Sequence, residues 1–288
     1  MSDIAKFRSE IKPTWCPGCG DYGVLNSIQG ACGDLGLDPK DVVLVSGIGC
    51  SSDLPHFVKS YGLHTLHGRA VAVAQGVRLG NTDLTVIAAG GDGDGYGIGV
   101  GHFIHALRRN VRMTYVVMDN QIYGLTTGQT SPTSAKGAKT KSTPQGNVEN
   151  ALNPLAVALA AGASFVARGF SGDGAHLTDI MRQALSHKGF ALVDVFSPCV
   201  TFNKDNTFAW FRERVYKLEE KGHDPANLGA AIQAALETEK LPIGVFYKNP
   251  RPTFEEQDPG MTARPEPLAR RRLGPDASVW AATLEEFS

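Results

Sequence analysis

Leu84-Thr85-Val86-Ile87-Ala88-Ala89-Gly90-Gly91-Asp92-Gly93-Asp94-Gly95 and, a helix-length later, Tyr115-Val116-Val117-Met118-Asp119-Asn120 are the stretches that decide the fold. Each opens on a short apolar run of the kind found in strands buried on both faces. Two such strands with a helix-length segment between them make a β-α-β unit. The glycines and acids then fall at the carboxyl end of the first strand, where open α/β sheets bind ligands. Asp92 at one strand end and Asn120 at the next offer two hard oxygens, which magnesium takes alongside phosphate. Gly91, Gly93 and Gly95 let the backbone approach a diphosphate, and the following helix offers its N-terminal amides.

The 288 residues, 42% of them hydrophobic, suffice for one large α/β domain or two smaller ones. A formal net charge of -1 gives no reason to expect nucleic acid or an anionic membrane as partner. No apolar run approaches the length of a membrane span, and residues 1–11 are mixed and charged, unlike a secretory signal. Five cysteines without such a signal point to the reducing cytoplasm, where thiols serve metal or redox chemistry.

Three loops carry those thiols near strand ends. Trp15-Cys16-Pro17-Gly18-Cys19-Gly20 is a Cys-x-x-Cys turn, Gly47-Ile48-Gly49-Cys50-Ser51-Ser52 follows the predicted strand 42–47, and Ser197-Pro198-Cys199 follows the predicted strand 191–196. Four thiolates suit zinc or a 4Fe-4S cluster, and spacing does not separate the two. Cys32 lies in the helical pattern Val24, Leu25, Ile28, Leu35 and reads as a small buried apolar residue.

Between these landmarks, 61–66 reads as a short strand that holds His64, and 70–79 as a helix of small residues. His67 and Arg69 stand at its N-terminus, where they would suit an anionic group or serve a purely structural role. Ile122-Tyr123-Gly124-Leu125-Thr126-Thr127-Gly128-Gln129 leads into a polar run to Asn150. Residues 121–134 read as a loop over the ligand site, whereas 135–147 favour neither linker nor lid. Helices are expected over 155–161, 175–186, 208–221 and 226–236, and strands over 164–167, 191–196 and 243–247, with a second right-handed β-α-β unit around 175–186. From Asn249 on, the chain is rich in Pro and Arg, and Arg270-Arg271-Arg272 reads as a solvated face.

In sum these motifs resemble the thiamine-diphosphate-binding β subunits of the 2-oxoacid:ferredoxin oxidoreductases, from Trp15 to about Pro250: Cys16-Pro17-Gly18-Cys19-Gly20, Gly47-Ile48-Gly49-Cys50, His67-Gly68-Arg69, Gly91-Asp92-Gly93-Asp94, Asp119-Asn120 and Ile122-Tyr123-Gly124-Leu125-Thr126. The resemblance implies a thiamine-diphosphate-binding α/β fold, a mostly parallel central sheet with helices on both faces over residues 1–248, and a C-terminal extension, 249–288, that packs on a partner. It implies that Cys16, Cys19, Cys50 and Cys199 ligate one 4Fe-4S cluster, and that Asp92, Asn120 and the Ile122 carbonyl hold Mg²⁺ on the cofactor diphosphate. Gly49, Cys50, Ser51, His67, Gly91, Gly93, Asp94, Tyr123, Gly124 and Thr126 complete the expected cofactor site. Leu125 would lie under the thiazolium, and it and His67 are the expected catalytic pair.

The activity so implied is oxidative decarboxylation of a 2-oxoacid, with coenzyme A taking the acyl group and ferredoxin the electrons, or the reverse carboxylation. Thiamine enzymes of this kind need a glutamate from a pyrimidine-binding domain, and no duplicate β-α-β set with that domain's features stands in this chain. An α subunit carrying that glutamate is therefore expected, in an αβ or (αβ)2 assembly. Thr127 stands where the family's Leu-Thr-Lys-Gly-Gln version has lysine. His56, Lys59, His64 and Arg69 are the candidate cations for substrate, and Gly49-Cys50-Ser51-Ser52 with the following aromatic segment favours 2-oxoglutarate over pyruvate. The competing readings are the same chemistry on pyruvate, a non-redox thiamine enzyme half, and a zinc-stapled subunit without catalysis.

Overall fold

Alternate residues of each central strand enter opposite cores, which is what a sheet covered on both faces requires. The computed structural model describes residues 3–271, 274 and 277–287. Within the first half lie α1 (Asp21–Asp34), β1 (Val42–Ser46), α2 (Leu54–Phe57), β2 (Tyr61–His64), α3 (Ala70–Gly80), β3 (Thr85–Gly91), α4 (Val100–Arg109) and β4 (Met113–Asp119). The second half adds α5 (Pro154–Ala160), β5 (Phe165–Phe170), α6 (Gly174–Ser186), β6 (Phe190–Phe196), α7 (Phe208–Arg212), β7 (Val215–Lys217), α8 (Leu228–Ala235) and β8 (Leu241–Lys248). Short helices α9 (Phe254–Gln257) and α10 (Pro259–Thr262) and the exposed α11 (Ala277–Glu286) follow.

The strands form one sheet in the order β2-β1-β3-β4-β6-β5-β8-β7, parallel throughout except where β8 runs against β5. Leu44, Ile87, Val116 and Val193 face the core beneath α1 and α6, while Val43, Val86, Tyr115 and Leu192 face the core beneath α3, α4, α5 and α8. Cys32 is fully buried in the first of these. Among the described residues no helix is long and apolar enough to cross a membrane.

Two expectations change. The helix expected over 208–221 stops at Arg212: Thr207 caps its start, and Val215–Lys217 then pairs parallel with the beginning of β8. Sheet hydrogen bonds and the burial of Leu218, whose N–H reaches the Ile243 carbonyl at 2.9 Å, outweigh the local helical preference. The helix expected directly after the glycine-rich stretch is also irregular. Gly93–Ile98 forms a wide π-type turn with a break at Gly97, and the regular helix begins only at Val100.

The start of the C-terminal extension is stitched to this chain. Arg251 donates to the Leu107 carbonyl at 2.8 Å, and Glu255 pairs with the buried Arg78 at 2.8 Å. Arg270 pairs with Asp83 and Arg271 donates to main-chain carbonyls of 264 and 266, while Arg272 lies outside the described residues.

Candidate functional site

Because β1, β3, β4 and β6 are neighbours and parallel, their carboxyl ends bring Cys50, Asp92, Asn120 and Cys199 to one edge of the sheet. A cavity opens there, ≈ 530 Å³ counting the space continuous with solvent. Gly49, Cys50, Ser51, His67, Gly91, Asp92, Gly93, Asp94, Asn120, Ile122, Tyr123, Gly124, Leu125 and Thr126 all line it, so every residue expected at the cofactor borders one space. His56, Lys59, His64 and Arg69 do not line it. His56 and Lys59 are exposed, His64 sits 3.2 Å from Ser46 Oγ, and the Arg69 guanidinium turns back on the His67 and Gly68 carbonyls.

Asp92 is buried with its two carboxylate oxygens in different surroundings. Ser131 Oγ and Thr133 Oγ1 both donate to Oδ2, Thr133 at 2.6 Å. That leaves Oδ1 for a further partner. Burial pushes the carboxyl up to about 6, against the pull of the two hydroxyls. Asn120 Oδ1 accepts the Ile122 N–H at 3.1 Å and keeps a second lone pair. Gln121, between them, adopts φ 59°, a left-handed turn that reverses the chain at the strand end. Among the described residues no three His, Cys, Asp or Glu side chains are grouped to hold an ion. The oxygens offered here come instead from one carboxylate, one amide and the Ile122 carbonyl, a hard set that fits a magnesium ion whose remaining ligands are phosphate and water.

Asp94 plays a different part from Asp92. Its Oδ1 accepts the main-chain N–H groups of Ile48 at 2.9 Å and Gly68 at 2.7 Å, tying the loops after β1 and β2 to the end of β3. Its Oδ2 lies against Gly47, where a Cβ would come within 1.9 Å. His67 Nδ1 stands 3.1 Å from the same Oδ1 without hydrogen-bond alignment, and its ring meets Tyr123 edge-on at 6.2 Å. Tyr123 in turn donates to the Gly93 carbonyl at 3.1 Å.

The cysteine loops converge beside this cavity. The Cys16-Cys19 turn closes through Cys19 N–H to the Cys16 carbonyl at 3.0 Å, and Gly20 N–H reaches the Pro198 carbonyl at 3.1 Å. Trp15 Nε1 donates to the Cys50 carbonyl at 2.7 Å, and Ser197 Oγ to Asp21 at 2.7 Å. A Cβ at Gly124 would lie 3.7 Å from both Cys50 Sγ and Cys199 Sγ and 3.9 Å from Asn120 Nδ2. All five cysteines are free thiols. Burial raises Cys50 to about 12 and Cys19 further, with buried Asp21 and the neighbouring thiols adding to it. Free thiols on three converging loops are the donor type that zinc and iron–sulfur groups take, but among the described residues no three of them are gathered to hold an ion.

Sequence reasoning missed Asp21, Ile48 and Met118 in the cavity wall and the hydroxyls of Ser131 and Thr133. Asp21 directly follows the Cys-x-x-Cys-Gly turn, and the two hydroxyls lie in the loop already expected over the site.

Comparison with known proteins bears on the same residues. Residues 47–195 match the family described as thiamine pyrophosphate enzyme, C-terminal TPP binding domain, and residues 199–263 match the C-terminal region of the pyruvate ferredoxin oxidoreductase beta subunit. The 2-oxoacid:ferredoxin oxidoreductase subunit beta of Sulfolobus sp is 49% identical over 257 residues, covering 84% of either chain. The 2-oxoglutarate synthase subunit KorB of Methanocaldococcus jannaschii is 36% identical over 87% of this chain and 93% of its own. A solved 2-oxoglutarate:ferredoxin oxidoreductase from Magnetococcus marinus, with 2-oxoglutarate, coenzyme A and succinyl-CoA bound, superposes with a TM-score of 0.91 at 44% identity, over 98% of this chain and 96% of that one.

Proposed function

We propose a function on the premise that this chain belongs to the β subunits of the 2-oxoacid:ferredoxin oxidoreductases, as its relatives and matched families establish. It supplies the diphosphate end of a thiamine diphosphate site and the first electron acceptor beside it. The reaction is the coenzyme A-dependent oxidation of a 2-oxoacid, or its reversal. The observation that carries this reading is Gly124, whose open side borders Asn120 and the sulfurs of Cys50 and Cys199 alike. A diphosphate-binding corner and thiols that meet at one glycine serve electron transfer, and a non-redox thiamine enzyme has no use for the thiols.

When bound, thiamine diphosphate supplies the electron sink for decarboxylation. This chain's residues do the holding. Asp92 Oδ1, Asn120 Oδ1 and the Ile122 carbonyl bind Mg²⁺ on the diphosphate, with Ser131 and Thr133 fixing the Asp92 carboxylate from behind. Gly91 borders the cavity and Gly93 makes room for the Tyr123 ring, while Leu125 would support the cofactor's thiazolium and His67 would face its reacting end. Cys16, Cys19, Cys50 and Cys199 hold one 4Fe-4S cluster. The 2-oxoglutarate bound by the Magnetococcus relative and the names of the KorB relatives favour that acid here. A partner α subunit brings the pyrimidine-binding domain with its glutamate, in an αβ or (αβ)2 complex that works in the cytoplasm and reduces a soluble ferredoxin.

Asp92→Ala in the co-expressed complex tests the metal corner. It is expected to abolish thiamine diphosphate binding measured by calorimetry, and with it 2-oxoacid-dependent viologen reduction, while the iron content stays unchanged. Binding at the native affinity would overturn the assignment.

A further inference from the structure

We propose that Tyr96, Asp194 and Arg168 form a buried bridge that holds the glycine-rich turn in the shape the cofactor diphosphate needs, with Tyr96 as the positioning residue. The ligand rests on the functional reading above, while the bridge stands on its own geometry. The turn needs an anchor from outside itself. Three of the six residues in Gly93–Ile98 are glycine, the residue that loses most freedom on ordering. The backbone breaks at Gly97 (φ -83°, ψ -112°), and the turn closes through the wide bond from Gly99 N–H to the Asp94 carbonyl at 3.1 Å.

Two tyrosines supply the anchor. Tyr123, in the cavity wall, donates to the Gly93 carbonyl at 3.1 Å, and its ring fills the space where a Gly93 Cβ would stand. Tyr96 holds the turn from the core side. It is buried, its ring meets Phe103 at 5.4 Å, and its hydroxyl donates to Asp194 Oδ1 at 2.8 Å. Asp194 lies on β6, so this bond reaches from the end of β3 past β4. Burial, with Asp194 adding to it, pushes the phenol well above its ordinary range, and it stays a donor at neutral pH.

The acceptor is fixed as well. Asp194 is fully buried, and its other oxygen, Oδ2, takes the Nε–H of Arg168, the residue opposite it on β5, at 2.8 Å. The Arg168 guanidinium lies 4.6 Å over the Phe196 ring. Breaking a buried ion pair is costly, yet an apolar pair of the same volume stabilises a core as well or better. What the pair adds here is a carboxylate that cannot turn, to which a hydroxyl makes a strong, directed bond. Tyr96, Asp194 and Arg168 do not line the cavity. The bridge therefore acts through the turn, in which Gly93 borders the cavity and Asp94 ties down the loops after β1 and β2. Its loss weakens cofactor binding and leaves the chemical step alone.

The test uses the complex with its partner subunit, stripped of cofactor. In Tyr96→Phe, which keeps the ring, the Kd for thiamine diphosphate with Mg²⁺, measured by calorimetry, is expected to rise about tenfold, the loss of one hydrogen bond to a charged acceptor. Both kcat at saturating cofactor and KM for the 2-oxoacid are expected to hold. Phe246→Leu, a core variant on β8, is the control: it should lower Tm and leave that Kd unchanged. In Asp194→Leu/Arg168→Met, where apolar side chains replace the pair, adding Tyr96→Phe should weaken binding no further, because the hydroxyl has already lost its acceptor. Native affinity in Tyr96→Phe, a Kd raised equally in Phe246→Leu, or a further tenfold loss in the triple variant would overturn the proposal. If the variant with the apolar pair does not fold, the two single variants decide. If the native complex binds no thiamine diphosphate, the functional reading fails, and hydrogen exchange of the amides at 93–99 then judges the bridge. Faster exchange in Tyr96→Phe than in the native complex keeps it, and identical exchange removes it.

Discussion

At the scale of single residues, the site is a matter of which atom is left free. Asp92 commits Oδ2 to two hydroxyls and leaves Oδ1, whereas Asp94 commits Oδ1 to two main-chain N–H groups. Two acids of one Gly-Asp-Gly-Asp motif thereby divide into a proposed ligand position and a loop anchor. Away from the site, His187 shows what burial alone does. Its Nε2 lies 2.9 Å from Ser164 Oγ, its Nδ1 is buried without a partner, and desolvation, with Lys248 and Arg112 adding to it, lowers it to about 4. The folded state thus refuses a proton that the unfolded chain accepts from about pH 6.5 down. Stability is then expected to fall by about 3 kcal/mol as pH drops from about 6.5 to 4, and to be flat above that window for this group. Thermal unfolding of the complex against pH should show a shallower slope over that interval in His187→Gln, and an identical slope would contradict the assignment.

At the scale of elements, the joint between the first cysteine loop and the last is a backbone contact. A Cβ at Gly20 would come within 2.6 Å of the Ser197 carbonyl carbon and 2.7 Å of the Pro198 nitrogen, neither of which can swing aside. Gly20→Ala is expected to cost about 1–3 kcal/mol by overpacking and to part Cys16 and Cys19 from Cys199. Iron and sulfide per complex should drop while far-ultraviolet circular dichroism is kept, and a full cluster complement would show that the loops tolerate the separation. The same elements show what the sequence made legible. The apolar runs at 42–47, 84–89 and 191–196 appear as β1, β3 and β6 because a strand buried on both faces leaves a continuous apolar signature. The region 208–221 read as one helix because Val215–Lys217 becomes a strand only through its pairing with Leu241–Ile243, a contact no local window contains. Ser131 and Thr133 were illegible as site residues for a similar reason, since a hydroxyl gains meaning only once the fold sets it against Asp92.

At the scale of the whole molecule, four adjacent parallel strands deliver a thiol, a carboxylate, an amide and another thiol to one edge, in the spatial order β1, β3, β4, β6. That order explains why residues as distant in sequence as Cys50 and Cys199 meet at Gly124. That the expected cofactor residues line one cavity was legible because each follows closely on a strand end. His56, Lys59, His64 and Arg69 are near the site in sequence, yet none lines the cavity, because β2 is the edge strand and its residues are exposed. The proposed reaction oxidises a 2-oxoacid in the cavity and passes its electrons to a cluster that the four thiols would hold. Electron paramagnetic resonance of the anaerobically purified complex, before and after addition of 2-oxoglutarate with coenzyme A, tests it most directly. A brown protein is expected, in which the acid elicits the spectrum of a reduced 4Fe-4S cluster. A colourless complex containing zinc, or a cluster that dithionite reduces and the 2-oxoacid does not, would contradict it.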